Sequence, residues 1–240
     1  MRKLLMAATC WLMALTTMIS GNANGVVNWG LSHRGNETTP VVSELGAELL
    51  KKYDGMYVGD TSKKQVYLTF DLGYEAGYTA EVLDILKEYQ IKGLFFLCGN
   101  YLSQNDLIVR MQNEGHQLGN HTNKHRDLPS LSEDGIREDI RSLQLPTTPK
   151  FFRPPQGRFD EKTLRVAQEE GLRAVLWSLA IQDWQKTPKL DVAKSTNKIL
   201  ERVHPGAIML FHITNPGTPE MLRSLIPALQ EKGYTFGELV

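Results

Sequence analysis

Cysteine is almost absent from this chain, with two among 240 residues, Cys10 and Cys98. Cys10 lies in an N-terminal apolar run, so a chain processed past it keeps one thiol and no internal disulfide. Cys98 closes the apolar stretch Gly93-Leu-Phe-Phe-Leu-Cys98, where the expected state is a buried, inert thiol. Excess charge of either sign is lacking as well: 27 Lys and Arg balance 27 Asp and Glu, and no basic tract occurs. That balance excludes a global pull toward nucleic acid or an anionic membrane surface. A Gly-rich phosphate loop of the nucleotide-binding kind is missing too. The longest apolar run, Leu4 to Ile19, is shorter than the ~20 residues a membrane-spanning helix needs.

That run is the first positive feature. Arg2 and Lys3 precede it, and Gly21-Asn22-Ala23 places small residues where a signal peptidase cuts. Residues 1–23 are therefore expected to be a signal peptide, with an uncleaved N-terminal membrane anchor as the alternative. The protein would then act outside the cytoplasm, with no stable membrane insertion once the leader is removed. Composition, 41% hydrophobic and 22% charged, is that of a folded domain with a sizeable core rather than a disordered chain.

Residues 24–60 read as an N-terminal extension with one helical stretch, Val42 to Tyr53, and residues 61–240 as the main domain. Gln65 to Phe70 is a β-rich strand; Val82, Leu83, Ile85, Leu86 and Tyr89 have helical spacing; Lys92 to Cys98 is a second strand. Helical patterns at 107–114, 164–170 and 221–232 are each closed by a glycine (Gly115, Gly171, Gly233) that feeds a strand-like segment, among them Leu172 to Trp177. Strands and helices alternating through short loops imply an α/β fold with parallel strands; a barrel and a doubly wound sheet both fit.

The chemistry-bearing residues gather at strand ends. Asp71 follows the first strand directly, where a carboxylate serves as base or metal ligand, or merely caps the next helix. His121-Thr-Asn-Lys-His125 carries two imidazoles at a spacing suited to Zn²⁺ or a similar cation, on one face if the segment is helical. Phe151-Phe-Arg-Pro-Pro-Gln-Gly-Arg158 is a proline-stiffened loop that can hold Arg153 and present backbone N–H groups to a substrate. Asp183-Trp184 pairs a carboxylate with an indole that suits a sugar face, and His212 ends the apolar run Ile208-Met-Leu-Phe as a candidate general acid. His116 and His204, beside Gly or Pro, read as structural, and His33 as exposed. Each feature alone has a bland reading as turn, cap or core; four strand ends carrying Asp, His-x3-His, Asp-Trp and His together do not suit random placement.

In that order, Thr69-Phe-Asp71, His121-Thr-Asn-Lys-His125, Arg153-Pro-Pro-Gln-Gly157, Asp183-Trp184 and Ile208-Met-Leu-Phe-His212 resemble the motifs of the polysaccharide deacetylases, carbohydrate esterase family 4. Within that family, Trp29-Gly, Lys52-Tyr-Asp-Gly-Met-Tyr57, Gly73-Tyr-Glu-Ala-Gly-Tyr78 and His204-Pro-Gly-Ala-Ile208 resemble the group from spore-forming bacteria that de-N-acetylates peptide-free N-acetylmuramic acid, a step toward the muramic δ-lactam of spore-cortex peptidoglycan. The resemblance implies a distorted (β/α) barrel acting as a hydrolase on peptidoglycan glycan strands, with a divalent metal ion, zinc or similar. It implies Asp71 as the base for the attacking water, His121 and His125 as metal ligands, and Arg153 holding Asp71 ionised. It implies His212 as the acid for the leaving amine, Asp183 tuning it, and the Gln156 backbone N–H facing the oxyanion. Gly157 in the same loop, Arg158 facing the lactyl carboxylate and Trp184 as sugar platform complete the expected substrate contacts.

One position departs from the family. The third metal ligand is usually an Asp immediately after the base, and here that residue is Leu72. Asp71 would then ligate the metal itself, or substrate and water would complete its shell, or the site would work without metal; a weakly held ion is the expectation. The alternatives are a de-N-acetylase of another glycan, such as an N-acetylglucosamine polymer, and a catalytically impaired glycan-binding wall protein.

Overall fold

The computed structural model describes residues 25–240, so the expected leader at 1–23 lies outside the described residues. In chain order the elements are β1 (Val27–Asn28), α1 (Glu44–Lys52), β2 (Gln65–Leu72), α2 (Thr79–Glu88), β3 (Leu94–Leu97), α3 (Asn105–Asn113), β4 (Gln117–Asn120), α4 (Glu133–Arg141), β5 (Phe151–Phe152), β6 (Arg158–Phe159), α5 (Glu161–Glu169), β7 (Arg173–Ala174), β8 (Leu179–Ala180), α6 (Val192–Arg202), β9 (Ile208–His212), α7 (Thr218–Glu231) and β10 (Thr235–Phe236). The main sheet runs β7-β5-β4-β3-β2-β9-β8, every pair parallel, with β10 alongside the start of β2.

Why this sheet must curl follows from its ends. Laid flat, the path from β7 to β8 would span ~29 Å at ~4.8 Å per strand. Only four residues, 175–178, separate Ala174 from Leu179, a reach of at most ~18 Å. The edges are thus brought together and the sheet becomes a distorted barrel ringed by helices. This decides between the two architectures the strand–helix alternation left open.

Strand alternation sorts the side chains into two layers. Val66, Leu68, Phe70 and Leu72 of β2 join the outer apolar cluster with Val82, Leu83 and Leu86 of α2 and Leu222, Leu225 and Ile226 of α7. Tyr67 belongs to an inner cluster with Leu94, Phe96, Phe151, Val175 and Ile208. Thr69 and Asp71 share the parity of Tyr67 and so face the barrel interior.

Gly115, Gly171 and Gly233 close α3, α5 and α7 in the left-handed region, at φ +79°, +74° and +81°, as their positions predicted. The extension is stitched to the barrel: β1 pairs antiparallel with β6, and Met56 and Val58 form bridges to Val175 and Ala207. Three expectations are corrected. β2 continues through Leu72, so Asp71 is the penultimate strand residue rather than the residue after the strand. The strand expected over Leu172–Trp177 shrinks to β7, because the carbonyls of Val175 and Leu176 turn inward to a buried arginine. His33 is half-buried rather than exposed. His116 and His204 are buried, the first accepting from the Gly93 amide. Among the described residues no helix is long and apolar enough to cross a membrane.

Candidate active site

A cleft of about 640 Å³ opens where the parallel strands end. Asp71, His121, His125, Gln156, Trp184 and His212 line it, gathered from several loops and strand ends as in other α/β barrels, with the two histidines sharing one loop. Asp71 and His212 are register partners on the adjacent strands β2 and β9.

Asp71 is 7% exposed and held by Arg153, whose Nη1 donates to Oδ1 at 2.8 Å. Arg153 is fully buried, with no exposed surface. Its other donors go to Thr69 Oγ1, the Val175 carbonyl and the Leu176 carbonyl, and its guanidinium lies 4.2 Å from the centre of the Phe96 ring. Burial acts to raise the Asp71 carboxyl, but the adjacent Arg153 charge, helped by His121 and His212, brings it below the usual carboxylate value. Asp71 therefore stands ionised inside an apolar barrel, which suits a base.

The two histidines sit on a loop, not on the helix that their spacing allowed. Its shape comes from polar side chains underneath: Asn120 Oδ1 accepts from the Thr122 amide, and Thr122 Oγ1 from the His125 amide. Buried Asp139 of α4 takes the Lys124 amide on one oxygen and Arg126 Nε on the other, at 2.7 and 3.0 Å, while its carbonyl accepts from Asn123. These contacts hold Thr122 and His125 at φ +64° and +51°, unusual for residues with side chains and the kind of strain that collects at working sites. The loop aims both rings into the cleft, 5.0 Å apart and edge to face. His121 Nδ1 lies 2.8 Å from the Arg153 carbonyl, which fixes the tautomer with Nδ1 protonated and Nε2 free. Burial lowers the His121 pKa to about 4, so the ring is neutral, as a metal ligand must be.

On the far side, His212 is bound twice by Asp183: Nδ1 donates to Oδ1 at 2.9 Å and the backbone amide to Oδ2 at 2.7 Å. Burial acts to lower the His212 pKa, but the Asp183 carboxylate, with Asp71 nearby, raises it above the ordinary histidine value. Trp184 stands at the rim, 52% exposed, its ring 5.8 Å from His212 and nearly perpendicular to it. Tyr74, 42% exposed, is a second rim aromatic.

The Arg153–Arg158 loop divides. Gln156 lines the cleft at φ +59°. Gly157 does not line it: at φ +65° it packs beneath Trp177 and Trp29, where a Cβ would come within 2.7 and 3.0 Å of their atoms. Arg158 is likewise absent from the lining, its guanidinium tied to Asp127 Oδ1 at 2.9 Å and to Asn28. Neither residue lines the cleft, although both were expected to touch substrate; glycine is needed there for its backbone, and the arginine secures β1. Sequence reasoning overlooked Asp139, Tyr74 and Cys98. Cys98 lines the cleft, and its Sγ and a ring nitrogen from each of His121 and His125 all lie within 4.8 Å of one another. A sulfur and two neutral imidazoles form a donor set that fits a divalent cation of the zinc type.

Known proteins carry the same construction. The polysaccharide deacetylase family model matches residues 58–175. The peptidoglycan-N-acetylmuramic acid deacetylase PdaA of Bacillus subtilis is 35% identical over 95% of this chain and 92% of its own length. A peptidoglycan-N-acetylglucosamine deacetylase of Bacillus cereus is 34% identical over 78% of this chain and 71% of its own. The solved structure of B. subtilis PdaA, a family 4 carbohydrate esterase, superimposes with a TM-score of 0.84 over 89% of this chain and 94% of that one, at 36% identity. A curled parallel sheet with an ionised Asp, a His-x3-His loop and an Asp-backed His at its strand ends thus has relatives over nearly its whole length, and the chain belongs to the polysaccharide deacetylase family, the family 4 carbohydrate esterases.

Proposed function

We propose that this enzyme removes the N-acetyl group from N-acetylmuramic acid in peptidoglycan, a step toward muramic δ-lactam, after export directed by residues 1–23. The observation that carries the chemistry is the pairing of Asp71 and His212 on neighbouring strands with opposite protonation states. Asp71 is held ionised by Arg153, and His212 is biased toward the protonated form by Asp183. One accepts the proton of a water as its oxygen attacks the amide carbonyl carbon. The other donates to the amide nitrogen as the carbon–nitrogen bond breaks, releasing acetate and a free amine. His121 and His125 would hold a divalent cation. Bound there, it would supply Lewis acidity toward the amide carbonyl and the water. The Gln156 backbone and Trp184 would orient the sugar, the second by stacking against its apolar face.

The muramic substrate is favoured over an N-acetylglucosamine polymer by the extent of likeness. Similarity to the B. subtilis muramic acid deacetylase runs through the extension, whereas the B. cereus enzyme matches a smaller share of the chain. Leu72 keeps a third reading in play, that of a glycan-binding wall protein with impaired catalysis. Acetate release from glycan strands bearing peptide-free N-acetylmuramic acid, with and without chelator and beside Asp71→Asn, separates the three. Release abolished by Asp71→Asn supports the proposal. Release only from N-acetylglucosamine oligomers supports the second reading, and binding without release the third.

A further inference from the structure

We propose that Cys98 is the third protein ligand of the metal site, replacing the carboxylate that Leu72 cannot supply. The strand geometry places it there. On β3, Leu94 and Phe96 face the barrel interior while Phe95 and Leu97 face the helices, so the next residue, Cys98, faces inward. On β2 the same alternation turns Asp71 inward and Leu72 outward, 1% exposed in the helix-side apolar layer. The Cys98 amide donates to the Leu72 carbonyl, and the His121 amide to the Leu97 carbonyl, so Cys98 stands level with His121, two residues beyond Phe96, the register partner of Asp71.

The donor atoms are near closure. Sγ and the two ring nitrogens lie within 4.8 Å of one another, whereas sulfur and nitrogen around a tetrahedral zinc are ~3.5 Å apart. A contraction of about 1 Å through side-chain rotation closes the set. His121 needs little adjustment, because the Arg153 carbonyl already fixes its tautomer. The thiol hydrogen bond to the His121 carbonyl at 3.3 Å is one that a small χ1 change releases. The alternative, a cysteine used as small apolar filler, accounts for its burial but not for its sulfur facing two imidazoles in an open cleft.

A nitrogen–nitrogen–sulfur set has two consequences. It selects zinc or cobalt over magnesium or manganese, which prefer oxygen. It also relieves Asp71 of ligation, leaving that carboxylate to serve as base. The proposal rests on the deacetylase reading only for the presence of a cation, and its test reads the metal shell directly rather than turnover.

The test uses the full chain carrying Cys10→Ser, so that Cys98 is its one thiol. After metal removal the chain is titrated with Co²⁺. The expected result is a sulfur-to-cobalt charge-transfer band in the near ultraviolet that saturates at one equivalent and is bleached by Zn²⁺. X-ray absorption on the zinc form should show one sulfur at ~2.3 Å. Cys98→Ser should lose the band and bind zinc at least about tenfold more weakly. The absorption measurement needs no Cys98 variant, so a variant that fails to fold does not blunt the test. A shell of nitrogen and oxygen only, or no metal uptake at all, overturns the proposal. Failure of acetate release with the sulfur shell intact would instead overturn the deacetylase reading and leave this one standing.

Discussion

Replacing Asp183 by Asn tests whether His212 owes its protonated state to a buried carboxylate. Asp183 is fully buried, and both its oxygens accept from His212, one from Nδ1 and one from the backbone amide. An amide offers one oxygen and one NH₂, so one of these donors loses its acceptor and the charge disappears. A hydrogen bond to a charged group contributes about 1.5–3 kcal/mol, against roughly 0.5–1.5 kcal/mol for a neutral pair. The difference, ~1.2 kcal/mol between the midpoints, corresponds to nearly one pH unit. The acid must carry its proton, so activity falls as pH rises through the His212 value. With the raising carboxylate removed, that alkaline limb should move down by about one unit. The assay is kcat/KM for acetate release across about pH 5 to 9, with parent and variant in parallel. The loss should be small below the limb and large above it. A group whose pKa is raised on folding contributes stability that is lost as pH rises, so the melting-temperature deficit of the variant should be greatest on the acid side. An alkaline limb that stays in place at the parental rate would refute the reasoning, because the departing nitrogen would then take its proton from another group.

Two other substitutions separate structural from substrate-facing roles. Arg153→Ala removes the cation beside a buried Asp71 and strips two inward-turned carbonyls of their donor; it should cost about 3–5 kcal/mol, a fall of roughly 10 °C in melting temperature. A calorimetric shift below about 3 °C would show that other groups compensate. Trp184→Ala, at a residue 52% exposed, should leave the melting temperature within about 1 °C while raising KM several-fold, for a loss of about 1 kcal/mol. Unchanged KM would remove the indole from the substrate surface.

The α/β pattern and the strand-end residues were legible because they rest on local signals. Glycine closed three helices, β2 and β3 are apolar and β-rich, and Asp71, His121 and His212 stand where such strands stop. What escaped detection depended on three-dimensional neighbours or on quieter cues. Helices α4 and α6 are polar, yet Ser132 and Asp191 cap them through side-chain bonds to Gly135 and Lys194, a cue available in the sequence. Asp139 looks like any helix-surface acid until the His loop folds over it. Gly157 and Arg158 lie off the cleft because a turn with positive φ at Gln156 and Gly157 carries the chain away from it within two residues. Cys98 ends a strand as plainly as the others, but an apolar run masked the rule that had picked them out.

The placement of base and acid on neighbouring strands has a consequence for timing. Asp71 is made early and His212 late, with more than half the chain between them, although in the finished barrel they are side by side. The segment that closes the barrel, 175–178, also supplies the carbonyls that seat Arg153 against Asp71. A growing chain therefore holds the proposed base without its guanidinium partner and without its proposed acid. The proposed base and acid meet only when β9 is laid down beside β2, so closing the sheet and assembling the proposed proton-transfer pair are one event.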